Sequence, residues 1–70
     1  MREPYVVVRM RGKVSDYVGL GVPFVPYPHL AQVWTRREEA IGAASALAWS
    51  DEESRFAVVG LHSRKHYCER

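Results

Sequence analysis

The stretch "TRREEAIGAASALAWS", Thr35–Ser50, decides the fold of this chain. Ala40, Ile41, Ala44, Leu47 and Ala48 recur at three- and four-residue spacing and draw one apolar stripe along a helix. Thr35 precedes the stripe and Glu38 follows it by three residues, so a T-x-x-E capping box is expected to start the helix. Glu38 and Glu39 fall in the first turn, where the helix dipole favours negative charge. The alanines let the helix lie close to a flat partner, with Ile41 and Leu47 as its larger knobs. Gly42 costs about 1 kcal/mol relative to alanine in a helix interior, so it is expected to mark a close approach. "WSDEES", from Trp49, ends the helix.

Strands flank this helix on both sides. Tyr5 to Arg11 is β-branched and bounded by Pro4 and Gly12, which reads as a strand. Val6, Val8 and Met10 fall on one face and are taken as the core set; Tyr5, Val7, Arg9 and Arg11 fall on the other. "GKVSD" is a turn, and Val14 to Val22 a second strand weakened by Gly19 and Gly21. Ala31 to Trp34 either pairs as a brief strand or leads straight into the helix. Arg55 to His62 is apolar on both faces, as a central strand would be. The expected fold class is α+β: a small antiparallel sheet of three or four strands with one helix packed on one face, in the order β-β-(β)-α-β. Residues 1–62 make the single domain. The tail, residues 63–70, has no periodicity and is expected to be partly disordered.

Seventy residues make a marginal core, since a domain of this size buries only about 60% of its extended surface. The longest apolar run near the start is Tyr5–Val8. That is short of the roughly 7–15 residues of a signal-peptide core and the roughly 20 of a membrane span. With the one cysteine, Cys68, this points to a cytoplasmic protein with no membrane partner. Basic residues dominate before Glu38 and after Ser54. Between them Glu38, Glu39, Asp51, Glu52 and Glu53 form an acidic stretch. A dedicated nucleic-acid binder would be basic along one whole face.

Chemistry is sparse. His29, His62 and His66 have no nucleophile and orienting acid at a recognisable spacing, and no phosphate-cradling glycine motif accompanies them. No catalytic residue is assigned and no cofactor is expected. His62, His66 and Cys68 are zinc-ligand types, but their H-x3-H-x-C spacing matches no familiar finger, so no metal site is assigned.

"GVPFVPYPHL", Gly21–Leu30, carries Pro23, Pro26 and Pro28. Proline pre-sets the backbone and lowers the entropy lost on ordering. Phe24, Val25 and Tyr27 are therefore held in a fixed arrangement, facing either the core or a partner. Rigid aromatics are what interfaces favour. The candidate contact residues are Phe24, Tyr27, Tyr5, Arg9, Arg11 and Trp34, and the expected partner is another protein. Two alternatives stand beside it. One is a small nucleic-acid-binding protein that uses the face bearing Tyr5, Arg9 and Arg11. The other is a homodimer whose open sheet face pairs with itself.

"AQVWTRREEAIGAASAL", Ala31–Leu47, resembles a pattern frequent in small phage and bacterial α+β proteins. An opening strand and hairpin lead into A-x-V-x-T-x-x-E-A, a helix and a closing strand. Ala31, Val33, Thr35, Glu38 or Glu39, and Ala40 fill that pattern. Some such proteins inhibit host defence, anti-CRISPR proteins among them, and act by binding without catalysis. The resemblance implies a phage or mobile-element inhibitor of a bacterial defence complex, working by steric occlusion in the host cytoplasm.

Overall fold

The computed structural model describes residues 3–21 and 24–69, the last three by their backbone alone. Five strands and one long helix follow in order: β1 (Tyr5–Arg11), β2 (Val14–Val18), β3 (Phe24–Val25), a one-turn 3₁₀ helix (Pro28–Leu30), α1 (Arg37–Ser50), β4 (Arg55–Gly60) and β5 (His66–Glu69). The strands form one sheet in the order β3-β2-β1-β4-β5, and every pairing is antiparallel. The class is the expected α+β, with the helix packed on one face against β1 and β4. The sheet exceeds three or four strands because Phe24–Val25 and His66–Glu69 both pair. Within the tail expected to fray, the backbone of β5 bonds to β4. Its mixed sequence carries no alternation of its own, so only the neighbouring strand makes it visible.

Gly12, at φ 60, turns β1 into β2. The register sets Val8 opposite Tyr17 and Arg9 opposite Asp16. Continued, it would set Tyr5 opposite Leu20. Instead β2 ends at Val18, and the segment Ala31–Trp34 enters the gap between the end of β2 and the start of β1. Tyr5 and Trp34 exchange backbone hydrogen bonds of 2.8 and 2.9 Å, and the Gln32 N–H donates to the Val18 carbonyl at 2.8 Å. Ala31 bridges Gly19. So Ala31–Trp34 does pair, and it pushes Leu20 out of the sheet.

This tether moves the helix start. Trp34 is held against β1, and Arg36 is still extended at φ −116, ψ 129. Arg36 is therefore the N-cap, one residue past Thr35, and no side chain caps the helix. The expected capping box does not form, although Glu38 and Glu39 do lie in the first turn. Ala40 and Ala44 are fully buried, which makes them the points of close approach to the sheet. Gly42 is exposed, with open space where a Cβ would stand; its expected close approach is not there.

The face of β1 under the helix is also the reverse of the one expected. Val7, Phe56, Val58, Ala40 and Ala44 form the buried cluster, with Tyr5, Val18, Phe24, Trp34, Ile41 and Leu47 packed around it. Val7 sits opposite Val58, and Arg9 opposite Phe56, so the Tyr5–Val7–Arg9 side faces α1. Both sides of β1 are apolar at the centre, and alternation within the strand does not rank them. Phe56 decides, as the largest fully buried side chain. On the other face Val6 and Ala57 are fully buried in the single chain, and Val8 and Val25 nearly so. The sheet centre is thus closed on both sides. Among the described residues, the apolar side chains at the centre of this second face are therefore buried within the single chain.

Glu3 fastens the far end of the molecule. Its carboxylate accepts the backbone N–H groups of His62, at 2.9 Å, and Ser63, in the turn between β4 and β5. Leu61 N–H donates to the Pro4 carbonyl at 2.9 Å. Gly60 leaves room for this clasp, since a Cβ there would collide with the Glu3 carboxylate.

Candidate functional site

The proline segment is split between inside and outside. Phe24 pairs with Val18 and Val25 with Tyr17, which puts Phe24 on the helix side of the sheet. It is half-buried against the core, and the Arg9 guanidinium lies 3.6 Å from its ring centroid. Val25 is buried on the opposite face. After Pro26 the chain turns outward. Pro28 opens the 3₁₀ turn, where its missing N–H and fixed φ cost nothing. Leu30 N–H donates to the Tyr27 carbonyl and Ala31 N–H to the Pro28 carbonyl. Tyr27 and His29 stack, with ring centroids 5.5 Å apart and 23° between planes.

What this turn presents to solvent is apolar. Tyr27 is 57% exposed, Leu30 51%, Val33 48% and Leu20 75%. The Gly19–Ala31 bridge brings the backbones of Leu20 and Leu30 together, each one step from the bridge. Four large apolar side chains are thus exposed along the two segments that this bridge joins. The backbone beneath them is held by a ring stack and a 3₁₀ turn. Single exposed leucines are ordinary; an ordered backbone under several of them lowers the cost of burying them elsewhere.

The sequence candidates separate accordingly. Tyr27 belongs to this surface. Phe24, Tyr5 and Trp34 are half-buried and pack against the core cluster, and Tyr5 and Trp34 are joined by their backbone pair. Arg9 makes two hydrogen bonds to the Asp16 carboxylate, at 2.9 and 2.5 Å, with both side chains largely shielded. Arg11 pairs with Glu53. The basic face on which the nucleic-acid alternative rested is therefore largely neutralised and lies on the helix side of the sheet. Leu20, Leu30 and Val33 were not among the sequence candidates. A signal for Leu30 was present, because it ends the same proline segment as Tyr27; Val33 lies beyond that segment. Leu20 carried no signal, since its exposure follows from the strand insertion. Trp49 stands elsewhere, 88% exposed near the end of α1.

The acidic turn is occupied internally. Asp51 caps the end of α1, and its Oδ1 accepts the Glu53 N–H at 3.2 Å. Its carboxyl is held below the ordinary 3.8 chiefly by the Ser54 hydroxyl. Slight burial opposes this; the Glu53 N–H and the charges of Arg11 and Arg9 add to it. Among the described residues no three histidine, cysteine or acidic side chains are placed to share a metal ion. The Cys68 side chain lies outside them. No helix among them is long and apolar enough to cross a membrane. No protein-family model matches the chain, and neither a curated protein nor a solved structure matches it.

Proposed function

We propose that this protein is a non-enzymatic protein-binding module whose contact surface is formed by Leu20, Tyr27, Leu30 and Val33. The observation that carries this reading is their joint exposure on a proline-stiffened, cross-linked loop. Ordering side chains at a partner costs about 0.5–1.5 kcal/mol each; the ordered backbone of this segment removes the further cost of ordering the chain that carries them. Tyr27 supplies the rigid aromatic anchor, and the leucines and valine supply the dry surround. The narrower reading comes from the resemblance of Ala31–Leu47 to small phage proteins. It makes the partner a component of a bacterial defence complex, blocked by steric occlusion. The pairing of Arg9 with Asp16 and of Arg11 with Glu53 favours a protein partner over a nucleic acid.

Affinity capture from a bacterial lysate tests the proposal, with the double variant Tyr27→Ser/Leu30→Ser as control. The intact chain is expected to retain a specific protein that the variant loses, while both melt at the same temperature. Retention of the same protein by the variant would remove the surface from consideration.

A further inference from the structure

We infer that β5 is a strap over the outer edge of β4 and that the Glu3 carboxylate is its latch. When Glu3 lets go, the strap opens as a unit while the rest of the sheet stays folded. This stands apart from the contact surface proposed above. β5 ends the sheet order, and β4 is its strand neighbour. Their register slips between Val58 and Val59. The turn between them, residues 61–65, is exposed. Within it Arg64 takes φ 58, a left-handed conformation that suits glycine better than arginine. The turn closes on itself through Arg64 N–H to the Gly60 carbonyl, at 2.8 Å, and Gly60 N–H to the Lys65 carbonyl, at 3.1 Å. From outside, Glu3 accepts the successive N–H groups of His62 and Ser63, and Pro4 accepts that of Leu61. Successive backbone N–H groups make a seat for an anion, and a carboxylate accepts more strongly than a neutral oxygen. The inner side of β4 is held separately, by β1 and α1. Opening the strap therefore leaves Phe56 and Val58 packed in the core cluster. What it uncovers is the backbone edge of β4, and exposed strand edges are what folded sheets keep covered. Glu3 decides when that edge is offered.

Native-state amide hydrogen exchange, resolved by NMR on the intact chain at several urea concentrations below unfolding, tests this. The amides of Gly60, Arg64 and β5 are expected to exchange together, at least about tenfold faster than those of Val6, Val7 and Val8 once intrinsic rates are removed. Added urea is expected to speed the β1 amides steeply and the strap amides hardly at all, because opening the strap exposes little surface. Glu3→Ala is expected to speed the strap amides about fivefold, and Glu3→Gln, which keeps an oxygen acceptor without the charge, by less. If the two sets of amides respond to urea alike, the strap does not open separately and the inference fails. Strap amides that exchange at the parent rate in Glu3→Ala would show that Glu3 is not the latch.

Discussion

Replacing Gly42 with alanine is expected to stabilise the protein. Gly42 lies in the interior of α1, is exposed, and has no heavy atom within 4 Å of where a Cβ would be. It does not adopt a positive φ. The substitution therefore adds a methyl group to open space and removes backbone freedom from the unfolded chain. The gain is about 0.8 kcal/mol, the ordinary difference between glycine and alanine in a helix interior. Unfolding entropy of about 2.1 cal/mol/K per residue comes to about 150 cal/mol/K for this chain, so the melting temperature should rise by about 5 °C. Thermal melts followed by far-ultraviolet circular dichroism read this directly, at two protein concentrations tenfold apart. Ala46→Gly, on the same exposed side of the helix, should lower the melting temperature by a similar amount. A fall on Gly42→Ala, or a rise at only one concentration, would refute the reasoning. It would mean that another surface, such as a second copy, lies against that side of the helix.

Three further outcomes follow from the packing and the charges. A double-mutant cycle on Arg9→Ala and Asp16→Ala should give a coupling of about 1 kcal/mol in urea unfolding, because the pair is bidentate and mostly shielded; a coupling near zero would class it with solvated surface pairs. Gly60→Ala should destabilise by about 1 kcal/mol or less, since the Glu3 carboxylate must swing away from the His62 and Ser63 N–H groups, and the loss should shrink in a Glu3→Ala background. Asp51 is held below its ordinary 3.8, so its charged form contributes stability above that value and loses it as pH falls through the lower folded value. The urea midpoint of Asp51→Asn should thus trail the parent at neutral pH and converge with it in acid; a constant gap would contradict the assignment.

The helix was legible because its signal is local. Ala40, Ala44 and Leu47 repeat at helical spacing, and Asp51 and Ser54 stop the repeat wherever the chain packs. The capping box was misread for a non-local reason: Trp34 is pinned to Tyr5, and that pair keeps Arg36 extended. The candidate site was half-legible. Prolines announced a stiff segment, and Tyr27 is exposed as an anchor must be. Phe24 has the same local surroundings, yet pairing with Val18 turns it inward.

Taken alone, the sequence determined the α+β class, the helix with its buried alanines, the hairpin at Gly12 and the central position of the Phe56 strand. These depend on periodicity, turn chemistry and charge near a helix end, all of which act within a few residues. The tertiary structure alone decided which face of β1 lies under the helix, which arginines are neutralised, and that Leu20, Leu30 and Val33 are exposed. Those outcomes depend on contacts between residues far apart in the chain, where two apolar faces compete and the register with β4 and the Ala31–Trp34 insertion choose between them.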